Sequence, residues 1–541
     1  MALKLKERGV KRLAAAYLTA SAHLDAFFLS PGAYLIATKW WILGKRVRAH
    51  GQFAPLLSKS PKAYSLWAMK QGRVVFEGCS YADQFPITAF VDVKDDASEA
   101  DLSATAQCLA REGISAFWIG SKETPSVLSA ASRVDWNDRP GLMVLSPGDT
   151  LLNGAASRYR HWMAKNPAAR VIYADDDIMA NHRRDKPHFK PDWNAELYGH
   201  FDFLSGSCIL RPSYEDLEAV SLLPNWVASL TSRLVAASAP LHLPEILHHR
   251  RQRPRPKLPV QPVHIQSGLP TVSVIVPTRN RVDLLRTCLE GLGKVTYPDT
   301  EVIVMDNDSD EPETIRFLNK LSQSGTKVIS HPGHFNYSAI NNHGVSAATG
   351  HFICLLNNDI EMLDADWLAV LATQATRKEV GAVGAQLLYP DGRVQHAGVV
   401  IGVGNAAGHA HRFLKPDDEG YFFRHRLPQF TTAVTAACLV VQKDKFLAVG
   451  GLNEQEFPVA FNDVDLCLKL NERGWQSFYE PRATLIHHES VSRGFDRDPV
   501  GAARFASELA ALKRLWGTDW RFDPFHHPQL SRASEQFAVA F

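Results

Sequence analysis

Apolar and polar positions alternate in blocks through residues 271–360. Val272–Val276 is a continuous aliphatic run of buried-strand character, and Val282, Leu285, Leu289 and Leu292 then recur at helical spacing. Glu301–Met305 predicts a second strand, Glu313–Leu321 a helix, Lys327–Ile329 a short strand, Tyr337–Ala348 a helix and His351–Leu356 a further strand. Strands alternating with helices predict βαβ units and a mainly parallel sheet. The first half repeats the design faintly, with a strand at Ile87–Val93, a helix at Glu99–Arg111, a strand at Ile114–Ile119, and Leu142–Leu145 running into Ser146-Pro147-Gly148-Asp149. Proline and arginine crowd the stretch from His248 to Pro270, which predicts an extended linker. The expected fold class is α/β, with two related Rossmann-like domains of mainly parallel sheet, the first of them degenerate. The expected bounds are a helical extension at 1–70, the degenerate domain at 71–250, the linker at 251–270, the functional domain at 271–525 and a C-terminal tail at 526–541.

Bulk properties narrow the function. At 541 residues the chain is too long for one ordinary core. With 45% hydrophobic and 21% charged residues and a net charge of +2, electrostatics gives no case for nucleic acid. The charge is uneven, however. Lys4, Lys6, Arg8, Lys11, Arg12, Lys39, Lys45, Arg46 and Arg48 face only Glu7 and Asp25 in the first fifty residues, interleaved with Tyr17, Phe27, Phe28, Tyr34, Trp40 and Trp41. Such a segment suits an anionic membrane surface, and equally a helical extension packed on the body. The best apolar stretch, Ala33–Gly44, is too short to span a bilayer and is interrupted by Lys39. No signal-peptide pattern opens the chain, so a cytoplasmic protein is expected, peripheral on the inner membrane face if the segment meets lipid. Seven scattered cysteines without a CxxC pair suit reduced thiols and argue against structural zinc.

Four polar stretches then follow one another: Pro277-Thr278-Arg279-Asn280, Asp306-Asn307-Asp308-Ser309, Asn357-Asn358-Asp359 and Phe461-Asn462-Asp463-Val464-Asp465. The first three directly follow aliphatic runs, which is how an open α/β sheet presents side chains in the crevice beyond its strand ends. The first stretch turns toward a helix start whose N–H groups suit a nucleotide, although a plain capped turn reads the same. Asp306 also suits an Asx turn. Asp463 and Asp465, two apart at a helix start, do not share a face and should differ in role.

Together with FNYSAINNHGVSAATG (which holds Asn342), LLNNDIE, VQHAGVV, FNDVDLCLKL and IHHESVSRG, these stretches make residues 271 to about 500 resemble the family-2 glycosyltransferases, inverting nucleotide-sugar enzymes of GT-A fold. Within them the wording is similar to the tandem rhamnosyltransferase-like proteins of O-antigen and cell-wall polysaccharide synthesis. The resemblance implies two GT-A-like domains and a sugar, rhamnose among the candidates, moved from a nucleotide-diphosphate donor to a glycan or lipid-linked oligosaccharide. It implies that Pro277, Thr278, Arg279, Asn280, Asp306, Asn307, Asn342, Asn357, Asn358 and Arg493 meet the donor. Asp359, at the family's DxD position, and His487 would hold Mg²⁺ or Mn²⁺, which prefer oxygen-rich sites. Asp463 would be the general base, and Asp465 a helix cap or acceptor contact. His396 fits either the donor pocket or loop packing. The first domain keeps Asp149 at the metal-like position but lacks the nucleotide and base carboxylates: its strands end in Asp92-Val93-Lys94-Asp95 and Gly120-Ser121-Lys122, and NWVASLTSRL stands where FNDVDLCLKL is expected. It is expected to be an acceptor-binding or scaffolding lobe. Rival readings are another hexosyl or galactofuranosyl transfer, a non-catalytic glycan-binding protein and a nucleotide-binding regulator.

Overall fold

The computed structural model describes residues 2–71, 85–93, 97–180, 183–488 and 498–540. Four helices open the chain: α1 (Ala2–Leu29), α2 (Pro31–Ile42), α3 (Arg46–Ser58) and α4 (Ala63–Lys70). None among the described residues is long and apolar enough to cross a membrane. Helix α4 docks on the body. Its Tyr64 and Trp67 join an apolar cluster with Phe189, Ile246, Tyr421 and Phe537, and Tyr64 Oη donates to Asp177 Oδ2 at 2.5 Å. The packed-extension reading therefore holds for α4, whereas α1 and α2 keep large apolar side chains exposed.

Two sheets follow. The first is built from β1 (Ile87–Asp92), β2 (Ser115–Ile119), β3 (Gly141–Leu145), β4 (Thr150–Leu151), β5 (Val171–Ala180), β6 (Arg183–His188), β7 (Cys208–Leu210) and β8 (Leu241–Arg250). The second takes β9 (Val272–Thr278), β10 (Thr300–Asp306), β11 (Lys327–Ser330), β12 (Phe352–Leu356), β13 (Ile360–Met362), β14 (Val380–Leu388) and β15 (Val394–His396). A separate ribbon, β16 (Val399–Ile401) with β17 (Ala407–His409), precedes β18 (Gln429–Thr431), β19 (Cys438–Gln442) and β20 (Gln476–His487), which rejoin the second sheet. The second sheet runs β11-β10-β9-β12-β19-β14-β20-β13, and the first runs β2-β1-β3-β7-β5-β8-β4. Along these paths the order is the same strand for strand; the first sheet, with eight strands to the second's ten, lacks counterparts of the outer strand β11 and of β18, which pairs with β20. In each, one antiparallel strand (β7 or β19) is inserted between parallel neighbours. The register extends the match. Thr150 pairs with His249 as Ile360 pairs with His487, so Asp149 corresponds to Asp359 and His249 to His487.

Burial explains the aliphatic runs. All seven residues of β9 are buried; Val272, Val274 and Val276 enter one helix-covered core and Ile275 the other. A strand covered on both faces has no solvent side on which to place polar residues. Each fully buried aliphatic side chain there contributes roughly 1.5–3 kcal/mol.

The lobes are tied across their junction. Tyr421 Oη accepts from Phe189 N (2.9 Å) and donates to Phe189 O (2.8 Å), and Asn194 brackets Phe430 through both its amide atoms. The expected C-terminal tail is no free tail: Leu530 and Phe537 are buried in the same cluster as α4. His527, Asp175 and His242 meet there with ligand atoms within 4.8 Å of one another. Gln529 N donates to His527 Nδ1 at 3.0 Å, which leaves the ring proton on Nε2, 2.9 Å from Asp175 Oδ2. His242 lies between Asp192 Oδ1 (2.9 Å) and Asp175 Oδ1 (3.1 Å). Burial lowers the His242 pKa, but the two carboxylates outweigh burial and raise it. The cluster ties β5 and β8 of the first lobe to the C-terminal segment.

Candidate functional site

At the C-terminal ends of β9 and β12 the second sheet opens into a cavity of about 970 Å³, large enough for a nucleotide sugar. Its walls include Thr278, Arg279, Asn358, Asp359, Asp463 and His487. The sequence separates these residues by up to two hundred positions; the crossing of the strands brings them together.

The first wall is the turn after β9. Asn280 and Arg281 both take left-handed backbone conformations (φ 54° and 51°), reversing the chain into the Val282–Leu292 helix. Asn280 uses its amide to fix a neighbouring loop: Oδ1 accepts from the N–H groups of Asp310 and Glu311, and Nδ2 donates to Asp310. Thr278 Oγ1 accepts from Asn358 Nδ2 at 3.0 Å, linking the first and third polar stretches. Arg279 is exposed on the rim of the cavity. Asn307 holds the carbonyls of His331 and Gly333, with its Oδ1 buried and unpartnered. Asp306 closes β10, its Oδ1 accepting from Ser309 N three residues on (3.2 Å), and is not a wall of the cavity.

The second wall pairs Asp359 with His487. Asp359 is buried and its Oδ1 has no hydrogen-bond partner, while His487 Nε2 stands 3.2 Å away. The far side of the ring decides the tautomer. His487 Nδ1 is 2.7 Å from Gln395 Oε1, and the same amide's Nε2 faces His487 O at 3.4 Å. An amide oxygen only accepts, so Nδ1 donates to Gln395 and Nε2 is the ring nitrogen turned toward Asp359. Asn357 Nδ2, 3.4 Å from Nε2, faces the same nitrogen. A buried carboxylate oxygen without a donor beside an imidazole nitrogen is a donor set that suits a divalent cation.

The third wall is the start of the Asn462–Glu472 helix. Phe461, left-handed at φ 61°, occupies the cap position, and Glu508 Oε1 accepts from the N–H groups of Val459 and Ala460 just before it. This bend aims Asp463 into the cavity, where Oδ2 accepts from Ala436 N at 3.1 Å. Burial pushes its pKa up, against the opposing pull of the Ala436 and Val464 N–H groups and Thr435.

Two expectations are corrected here. Asp465 caps nothing and does not reach the cavity: the helix begins three residues earlier, and the carboxylate is buried between Lys469 Nζ (2.9 Å) and Trp516 Nε1 (3.0 Å). Asn342 is no donor contact, because its amide is spent on Leu452 and Glu454, which it holds to the Tyr337–Ala347 helix. Arg493 lies outside the described residues. His396 is fully buried against His409, Nδ1 to Nδ1 at 2.9 Å, whereas Gln395 beside it lines the cavity. Strand alternation turns neighbours in β15 to opposite faces, the signal that would have singled out Gln395.

The first lobe keeps one corresponding acid, Asp149, and has closed over it and over the aspartates of β5. Asp149 accepts from Arg251 N (2.8 Å) and Ser146 N (3.1 Å), and burial raises its pKa to about 6. Asp176 is ringed by Lys190 (2.9 Å), Arg253 (2.6 Å) and Arg250 (3.8 Å), and Asp177 by His249 and Arg184.

Residues 273–432 match the family described as Glycosyl transferase family 2. The chain is 37% identical over 423 residues to the uncharacterized protein y4gI of Sinorhizobium fredii, covering 69% of this chain and 46% of that one. It is 32% identical over 432 residues to the O-antigen biosynthesis protein RfbC of Myxococcus xanthus, covering 72% and 33%. A shorter match, 41% over 78 residues, covers 14% of this chain and 22% of the N-acetylglucosaminyl-diphospho-decaprenol L-rhamnosyltransferase of Mycobacterium tuberculosis. The chain thus spans less than half the length of the two curated relatives that it matches over most of its own sequence. Residues 273–432 of the second lobe, a mainly parallel sheet between helices, thus carry a glycosyltransferase family 2 domain.

Proposed function

We propose that the second lobe transfers a sugar, rhamnose being the first candidate, from a nucleotide-diphosphate donor to a hydroxyl of a growing lipid-linked surface polysaccharide, with inversion, at the inner membrane face. The observation that carries this reading is one cavity into which Asp463, with its raised pKa, and the Asp359–His487 pair both open. The O-antigen and rhamnosyltransferase relatives support the substrate class.

In this reading Asp359 and His487 would hold Mg²⁺ or Mn²⁺. Such a cation, when bound, neutralises the charge that develops on a diphosphate leaving group. The chain's own residues do the rest. The Thr278–Asn358 hydrogen bond fixes the strand ends against which the donor lies, and exposed Arg279 offers a guanidinium to its phosphates. Asp463 takes the proton of the acceptor hydroxyl as that oxygen bonds to the anomeric carbon and the carbon–oxygen bond to the diphosphate breaks. The first lobe, its acids consumed, serves as scaffold.

The reading is tested by calorimetry with UDP-, dTDP- and GDP-sugars, each with and without Mn²⁺. One donor is expected to bind in a metal-dependent manner; a chain that binds none of them would be a glycan-binding or assembly protein instead. Gln395 gives a sharper readout of the metal pair. Gln395→Met removes the acceptor that fixes the His487 tautomer and is expected to weaken Mn²⁺ binding about 10–100-fold. Gln395→Glu, which keeps an acceptor, should retain binding. Equal affinity in all three proteins would show that the tautomer does not matter to the cation.

A further inference from the structure

The N-terminal helices carry a surface that the transfer chemistry does not use. Twelve of the 25 exposed large hydrophobic side chains among the described residues fall between Val10 and Val47, each 42–76% exposed. They are not scattered. On α1, Val10, Leu13, Tyr17, Leu24 and Phe28 fall within about 60° of one another at 100° per residue, a single stripe about 27 Å long. The opposite side of α1 is the packed one, where Ala22 and Ala26 are buried. On α2, Leu35, Ile36 and Ile42 also face outward, with Lys39 between them.

Charge indicates what covers this face. Residues 10–50 contain Lys11, Arg12, Lys39, Lys45, Arg46 and Arg48 against one acid, Asp25, which accepts from Ser60 Oγ at 2.6 Å. None of the six cations forms an ion pair among the described residues. Three of them instead lie over indole rings: Arg46 is 3.8 Å from the Trp41 ring centre, and Arg48 and Lys39 are 4.5 and 5.9 Å from that of Trp40. An apolar stripe flanked by unpaired cations and tryptophans matches the depth profile of a lipid interface, with acyl chains below, aromatic rings at headgroup level and anionic charge outside. A protein partner would instead be expected to offer carboxylates to bare guanidinium groups.

We propose that α1, α2 and the turn into α3 form an interfacial docking surface for an anionic lipid bilayer, lying on it without crossing it. The inference sharpens the proposed membrane site of action, yet its test requires no turnover. The full chain is sedimented with vesicles of phosphatidylcholine alone or of phosphatidylcholine and phosphatidylglycerol in equal parts. Binding is expected only to the anionic vesicles and should fall with added salt. Lys45→Glu/Arg46→Glu/Arg48→Glu should weaken it about 100-fold, and Leu13→Ser/Tyr17→Ser/Phe28→Ser at least about tenfold. All six positions are solvent-exposed, so the melting temperature and Mn²⁺–nucleotide binding should stay at wild-type values in both variants. The proposal is overturned if the anionic vesicles capture no more protein than the neutral ones or if both variants bind like wild type. It is also overturned if the apolar substitutions instead abolish a concentration-dependent dimer, which would assign the face to a second copy. Docking with no response to any nucleotide sugar would leave this surface standing and remove the transferase reading.

Discussion

Asp463→Asn is expected to reduce sugar transfer about 10²–10⁴-fold while leaving metal-dependent donor binding at its wild-type affinity. The split follows from where Asp463 sits. It lies at the start of the Asn462–Glu472 helix, held by Ala436 N and on a different element from the Asp359–His487 pair, so the amide removes a base without removing a metal ligand. Asparagine keeps an oxygen for Ala436 N, and the fold should survive. Two pH effects accompany the loss. A base must be ionised, and burial raises the Asp463 pKa, so the acid limb of the wild-type rate profile should lie above the ordinary carboxylate range. The stability effect has the matching sign. A carboxyl whose pKa is raised by folding contributes stability that is complete below its unfolded value and is lost as pH rises through the folded one. At neutral pH the ionised group therefore burdens the fold. Asp463→Asn should melt higher than wild type near neutrality, and the difference should disappear on acidification. A variant that keeps wild-type turnover would place the base elsewhere or make the lobe a binding module.

Asp359→Asn should fail in the complementary way. Its free oxygen is the buried acceptor that the protein leaves unsatisfied, so the substitution removes the one carboxylate of the Asn357-Asn358-Asp359 stretch. Metal-assisted donor binding is expected to fall more than about 100-fold, and turnover by at least about 10²–10³-fold as charge stabilisation of the leaving diphosphate is lost. Thermal stability in the absence of metal should hold, because burying an unpartnered anion costs free energy and the amide removes that anion. Calorimetry with Mn²⁺ and the responsive nucleotide sugar distinguishes the outcomes: unchanged affinity would mean that the cation, if any, sits elsewhere.

The strands around the site were legible because β9 and β12 are buried on both faces and leave continuous aliphatic runs. Asp359 and Asp463, singled out as an acid directly after such a run and an acid at a helix start, do line the cavity. Asp465 misled because a first-turn aspartate reads as a cap. The true cap position is held by Phe461 in a left-handed conformation that no propensity favours, stabilised by Glu508 from a helix nearly fifty residues on. Asn342 misled for a similar reason: the loop that it holds is more than a hundred positions away in sequence. Gln395 was hidden behind a more reactive neighbour. Local pattern reports what a residue prefers, whereas these roles are set by partners that only the closed fold supplies.

The junction between the lobes also sets a schedule. Tyr64 and Trp67, made early, find their partners in Asp177, Gln529 and a cluster completed by Leu530 and Phe537, and Ser58 Oγ accepts from Val539 N at 3.1 Å. During synthesis each sheet can gather its own strands as they emerge. The Tyr421–Phe189 and Asn194–Phe430 ties can then form, but the cluster under α4 is complete only once residues 523–540 have been made, hundreds of positions after α4. Until then Tyr64 and Trp67 of α4 lack the Leu530, Phe537 and Val539 side chains that cover them. The cluster under α4 therefore closes after both sheets have been able to gather their strands, as a contact of very high sequence separation.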